Sequence, residues 1–319
     1  MNRVLVINQN FLGDVLFTTP ALSALQRRFP DAALEVFVSE RAAPVLWHHP
    51  AVSSLHLRPT QGGSRARWGA LRQLLRTRHY DGCVVFHGTG LSALLAWLHR
   101  VPQRLGFDTD RAGWLLTERV TAHRPGEHFA DAFLRAVGGS DGSERLQITL
   151  TEAERAAVVL PEGRCVGLVL GTTRPQKTWP VAHFTQLAKR LILGGFVPVL
   201  LGGESEAPAA AAIPEAHSLV GKTDLRGLLA TIERCGALVT GDTGPLHFGV
   251  ALGIPTVALF GSTDPAETGS WRPRAKTVTL YDKLDCAPCR KHPTCDGRFD
   301  CLVGITPERV FQAVREVLA

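Results

Sequence analysis

Residues 241–247 read GDTGPLH and place an acid, a hydroxyl, a proline and an imidazole between two apolar runs, 237–239 and 256–260. Pro245 suits the first position of a two-turn helix closed by Gly253, with Thr243 or Gly244 as its cap. The start of such a helix offers unpaired N–H groups and the positive end of the dipole, and Gly244 would let an anion approach the backbone. Asp242 would repel that anion unless it binds a ribose hydroxyl or orients His247 or the loop. His247 either donates to a phosphate or sits satisfied in the core. Taken whole, the motif reads as a diphosphate site.

Three other runs carry groups of the right kind. In GLVLGTTRPQKTWP (167–180) an apolar run opens into Thr172, Thr173, Arg174 and Lys177, one of only six lysines, and this set suits a phosphate. In LLGGESEAP (200–208) Glu204 or Glu206 could accept ribose hydroxyls. In INQNFLGDVLFTTPAL (7–22) Asp14 follows the first apolar run; it could act as a general base toward a substrate hydroxyl or cap the helix that follows.

Two further patterns are set aside. GTGLSA (88–93), with Asp108 and Asp110 downstream, fits a dinucleotide fingerprint, but it comes several elements into its half rather than after the first strand. Cys286, Cys289, Cys295 and Cys301 are spaced C-x2-C-x5-C-x5-C; zinc could use the first pair, but both longer gaps fall outside the commonest patterns. The reading taken is a loop of reduced cysteines, with no metal and no cofactor. Cys83, Cys165 and Cys235 lie in or beside strands as small core residues.

The elements that must position these groups follow from the apolar rhythm. Short β-rich runs at 4–8, 34–38 and 83–87 alternate with amphipathic stretches, a helix over 16–29 among them, and the pattern restarts at 166–170, 196–201, 217–220, 237–240 and 256–260. That alternation means parallel sheets covered by helices. A polar passage at 138–147 separates two halves, giving domains 1–158 and 159–319 with the border near 150–162. Two Rossmann-like halves would bind ligands at the carboxyl ends of their strands, across a central cleft.

The hydrophobic share is 45% and the mean hydropathy +0.05; no run approaches a membrane span or a secretory leader, so a cytosolic location is expected. Net charge is +6, and residues 41–80 hold seven arginines and no acid. Arg72 and Arg76 share one helical face there, while Trp68, Leu71, Leu74 and Leu75 share another. A basic face of this kind favours an anionic partner.

GDVLFTTPAL (13–22), GTTRPQKTWP (171–180), LLGGESE (200–206), GDTGPLH (241–247), FGSTDP (260–265), the CAPC segment and the ITPERV helix (305–310) together resemble the lipopolysaccharide heptosyltransferases, glycosyltransferase family 9. The resemblance runs nearly end to end. It implies the α/β GT-B architecture and a cytoplasmic enzyme, in contact with the inner membrane, that moves a heptose with inversion from an ADP-activated donor to an anionic lipopolysaccharide-core acceptor. On this reading Asp14 is the catalytic base and Lys177 assists the leaving group. Thr172, Thr173, Lys177, Glu206, Asp242, Thr243, Gly244 and His247 bind the donor, with Glu204 competing for the role of Glu206. Arg65, Arg67 and Arg111 bind the acceptor. A nucleotide-sugar epimerase on the same fold, or a sensor that binds without turnover, are the rival readings.

Overall fold

The computed structural model describes residues 1–319 other than 88, 89, 109, 122, 173 and 291, and only the backbone of 110–112. The chain separates into two compact units, Met1–Thr149 and Leu150–Ala319.

The first unit runs β1 (Arg3–Asn8), α1 (Leu12–Phe17), α2 (Thr19–Arg28), β2 (Ala33–Ser39), β3 (Ser54–Arg58), α3 (Gly63–Thr77), β4 (Gly82–Val85), α4 (Gly90–Leu98), β5 (Gln103–Asp108), β6 (Glu118–Thr121) and α5 (Phe129–Ala136). Its sheet has the order β3-β2-β1-β4-β5-β6, all parallel. Strands covered on both faces must be apolar almost throughout, and β1, β2 and β4 are buried from their second residue onward. On α3, Leu71, Leu74 and Leu75 enter the core with Leu95 and Ala96 of α4 and Trp68 packs against them, which leaves the arginine face outward.

The helix expected over 16–29 is two helices. Pro20 has no N–H to give to the Leu16 carbonyl; the Thr19 hydroxyl donates to that carbonyl instead, at 2.7 Å, and Thr18 donates to Val15 O at 2.7 Å.

The second unit runs α6 (Glu152–Ala156), β7 (Arg164–Val169), α7 (Val181–Leu193), β8 (Phe196–Leu201), α8 (Ala207–Ala211), β9 (His217–Ser218), α9 (Leu225–Arg234), β10 (Ala237–Gly241), α10 (Gly244–Leu252), β11 (Thr256–Phe260), α11 (Pro265–Thr268), β12 (Thr277–Tyr281), α12 (Asp300–Val303) and α13 (Pro307–Leu318). Its parallel sheet, β12-β11-β10-β7-β8-β9, repeats the connectivity of the first. In each unit the order reverses beside the first strand, between β1 and β4 and between β7 and β10. Such a switch point is where open α/β sheets leave a crevice for ligands.

The border between units precedes the 158/159 border read from the sequence. Thr151 and Glu154 form a capping box at the start of α6, and the same Glu154 carboxylate accepts from Arg226 of α9 at 2.6 and 2.7 Å. Arg155 pairs with Glu233 at 2.7 Å, so this segment is fastened to the second unit before its first strand begins.

The described residues of 282–299 form neither helix nor strand. Arg290 ties the segment to Glu267, and Cys286, Cys289, Cys295 and Cys301 line a cavity of about 130 Å³. Among the described residues no group of three or more His, Cys, Asp or Glu is arranged to hold a metal ion.

Candidate functional site

At the switch point of the second unit, β7 is followed by a short turn, Pro175–Lys177, and β10 by the start of α10. Lys177 Nζ donates to Asp242 Oδ2 at 2.5 Å and to Asp242 O at 3.1 Å, and the Thr263 hydroxyl donates to the same Oδ2 at 2.5 Å. The Asp242 side chain is 4% exposed and that of Lys177 17%. The acid in GDTGPLH is therefore turned away from an incoming anion and holds the ammonium in place. The close approach needs Gly241, because a Cβ there would lie 2.6 Å from the Lys177 carbonyl oxygen.

Thr243 is the N-cap of α10 and Gly253, at φ 74°, closes it; Pro245 occupies the second helical position rather than the first. Thr243 makes no side-chain capping bond, and the start of a helix whose cap side chain is uncommitted suits an external anion. A cation and a helix N-terminus thus meet at one end of β10. His247 is buried on the same helix. The Thr172 hydroxyl is committed to its own loop, accepting from Arg174 N at 2.9 Å and donating to Arg174 O at 2.7 Å. Thr173 lies outside the described residues.

Beside this end, a cavity of about 210 Å³ has Val169, Leu201, Leu228 and Pro245 in its walls, with Glu206 the acid among its lining residues nearest Gly171. Glu206 accepts from Gly203 N and from the Ser205 hydroxyl, both at 2.7 Å, and its carboxyl group lies where a Cβ on Gly171 would be, 2.3 Å away. Glu204 is exposed and does not line the cavity. Asp224, which accepts from Gly227 N at 2.7 Å, is the second acid in the lining; apolar walls with fixed carboxylates suit a nucleoside, the base against the walls and ribose hydroxyls on an acid.

In the first unit, the loop after β1 is pinned by Asn8 Nδ2 to Thr18 Oγ1 at 2.9 Å and by Asn10 Nδ2 to Phe86 O at 2.7 Å. Asp14 is the third residue of α1, half-buried in its first turn, while Phe11 occupies the N-cap position. Arg65 is exposed and Arg67 half-buried on α3; the Arg111 side chain lies outside the described residues.

Two residues near these were not singled out from the sequence. Arg58 ends β3, and the Nε of Arg58 and that of Arg67 are both buried with no hydrogen-bond partner among the described residues. Burial first, and then the Arg67 charge, lower the Arg58 pKa. His87 follows β4; since the Ile7 carbonyl can only accept, Nδ1–H donates to it at 3.3 Å, and Nε2 then accepts from the Ser92 hydroxyl at 3.1 Å. Burial, followed by the charges of Arg58 and Arg67, lowers the His87 pKa to about 4 against the Ile7 bond. Two arginines that repel each other, each with a buried Nε that has no partner among the described residues, are a place where an anion would be stabilised. No sequence motif marks them, because β3 and β4 are set on either side of β2 and β1 only by the sheet order.

The sequence model of glycosyltransferase family 9 (heptosyltransferase) matches residues 68–298, more than half of the chain. Lipopolysaccharide heptosyltransferase 2 of Salmonella typhimurium is 28% identical, the alignment covering 99% of each chain. Among solved structures, a family 9 glycosyl transferase from Veillonella parvula superposes with a TM-score of 0.87 at 25% identity, over 99% of this chain and 97% of that one. The ADP-heptose LPS heptosyltransferase II of E. coli gives 0.82 at 25% identity, over 100% and 98%. The two parallel-sheet Rossmann-like units are those of the GT-B fold, and the chain belongs to glycosyltransferase family 9, the heptosyltransferases, as an enzyme of that family.

Proposed function

We propose that this enzyme transfers a heptose, with inversion, from an ADP-activated donor to an anionic sugar of a lipopolysaccharide-core type acceptor, at the cytoplasmic face of the inner membrane. The observation that carries the donor half is the ammonium of Lys177, fixed by Asp242 at the end of β10 where α10 begins. The relatives named above, a lipopolysaccharide heptosyltransferase and an ADP-heptose-dependent one, support the choice of donor and acceptor.

In this reading the second unit is the donor domain and the first the acceptor domain. Adenosine occupies the cavity beside Glu206, and the diphosphate lies on Lys177, Thr243, Gly244 and the first-turn amides of α10. Asp242 acts through Lys177. Thr172, Thr173 and His247 complete the set that binds the donor. Arg65, Arg67 and Arg111 hold the acidic acceptor.

Inversion is a single displacement. The acceptor oxygen attacks the anomeric carbon as its proton passes to the Asp14 carboxylate, and the bond to the ADP oxygen breaks on the opposite face of the sugar. Negative charge grows on the departing diphosphate, where fixed donors are the larger catalytic contribution. Lys177 and the helix amides take that charge without calling on a metal ion.

The test is a thermal-shift panel of ADP-heptose against ADP-, UDP- and GDP-hexoses, followed by ADP release with and without a deacylated core acceptor. Selective stabilisation by ADP-heptose and acceptor-dependent release are expected. An isomerised sugar from donor alone would make the protein an epimerase, and binding without release in any acceptor would make it a sensor.

A further inference from the structure

The sequence of α4, GLSALLAWL, is apolar nearly all round, yet the helix is not buried all round. Leu95 and Ala96 pack with the leucines of α3, and Ala93 packs with Leu115 and Leu116. What remains turns outward: Leu91 is 37% exposed, Trp97 45% and Leu98 56%. Trp114, in the turn Asp110–Leu115 packed on α4, is 67% exposed, and its ring meets that of Trp97 edge-on at 6.1 Å. Scattered surface leucines need no explanation, but two indoles and two leucines gathered in one place do.

The surroundings are cationic. His99, at the end of α4, lies within the field of Arg72 and Arg76 on the neighbouring α3, and Arg100 follows it on the surface. Residues 41–107 contain nine arginines, and their one acid, Asp81, accepts from the N–H groups of Asn2 and Arg3. Asp108, beside the turn, folds back over Gly113.

We infer that Leu91, Trp97, Leu98 and Trp114, rimmed by Arg72, Arg76 and Arg100, form the face by which this protein lies on an anionic lipid surface. The inference rests on the proposed glycolipid acceptor and names the surface that would bring the enzyme to it. Indoles and leucines on a short helix enter the headgroup boundary, while arginines beside them draw on anionic headgroups. A second copy of the chain is the weaker occupant: a stable dimer needs about 20 to 30 residues a side, and like-charged rims would face each other. No helix among the described residues is long and apolar enough to cross a membrane, so the contact is with the surface of the bilayer.

The experiment is flotation of the full chain with vesicles of phosphatidylethanolamine and phosphatidylglycerol, against vesicles of phosphatidylcholine. Wild-type protein is expected to float with the anionic vesicles and not with the neutral ones. Leu98→Glu with Trp114→Glu should cut the partition coefficient by tenfold or more on the order expected for losing the apolar insertion. Arg72→Gln with Arg76→Gln should cut it about 25-fold, from about fivefold per arginine. Both double variants should keep the wild-type Tm and ADP affinity, which separates a lost surface from a lost fold. Unchanged flotation of both variants, equal flotation on neutral vesicles, or no flotation of the wild type would each overturn the inference. So would a concentration-dependent dimer that Leu98→Glu with Trp114→Glu abolishes. Flotation is read without donor or acceptor, so intact flotation in a protein that fails to bind ADP would sink the proposed reaction and leave the lipid surface standing.

Discussion

Lys177 and Asp242 act as one group: the ammonium lies 2.5 Å from Oδ2, inside a site that exposes 17% of one side chain and 4% of the other. Removing one member of a pair this well buried leaves the other charge uncompensated, which costs about 3 to 5 kcal/mol in fully buried cases. Lys177→Ala is expected to lower kcat/KM by about 100-fold, the scale of losing one fixed donor to the developing charge, and to weaken ADP binding in calorimetry. Asp242→Asn should lose less of each, since the lysine remains but is no longer aimed. The double variant should lose less than the two singles combined. Strict additivity in that cycle would show that the two residues serve independent purposes.

Asp14 is the third residue of α1, in its first turn, where a negative charge favours the helix dipole. Asp14→Asn is expected to cost about 0.3 to 1 kcal/mol of stability. Transfer should fall by about 1,000-fold or more, within or above the usual range for a general base, while the ADP dissociation constant stays within about twofold. A matched loss of ADP affinity and turnover would assign the residue a structural role instead.

Arg58 and Arg67 place buried Nε groups near each other with no described acceptor. In the free protein this arrangement repels, and in an acceptor complex it would attract. Arg58→Gln should leave Tm unchanged or raise it, while increasing the acceptor KM by about tenfold, the worth of one charge-assisted hydrogen bond. The donor KM should not move. A fall in Tm with an unaltered acceptor KM would mean that the arginine only supports β3.

The pKa of His49 is lowered to about 4 by burial and that of His87 to about 4 by burial with help from two arginines. Between pH 4 and 6.5 the unfolded chain binds protons that the folded chain does not, so stability is complete above pH 6.5 and declines as the pH falls toward 4. The two rings together put the loss at several kcal/mol, on the order of 3 for each. Urea midpoints at pH 7.5 and pH 5.0 should differ by the part of this lost by pH 5.0, about 2 kcal/mol for each ring. His49→Asn should reduce the difference, since a side-chain carbonyl can still accept from Ala51 N as Nδ1 does at 3.2 Å. Equal midpoints at the two pH values would contradict the burial of both neutral rings.

The sheets were legible because strands covered on both faces have little choice but to be apolar, as β1, β7, β10 and β11 are. The segments that carry Asp14, Lys177 and Asp242 were legible because they follow those strands. What each side chain does inside its loop was less so. Asp242 looked like an obstacle to an anion until its partner appeared, 65 positions away in the chain. Thr172 looked available for a phosphate, yet its hydroxyl closes a turn over two residues. The break at Thr18 was hidden because Pro20 is common near helix starts and the apolar period runs across it. Arg58 and His87 could not be found by spacing, since only the strand order sets β3 and β4 on either side of β2 and β1.

The contact between Gly241 and the Lys177 carbonyl makes the bare α-carbon of one strand end the seat of another segment's backbone. Any side chain there, however small or polar, would force the lysine-bearing turn outward, because a Cβ would stand 2.6 Å from its backbone oxygen. Position 241 thus governs where the ammonium stands without touching it. Among natural variants, the permitted alphabet at that position should shrink to a single letter wherever the lysine retains its post.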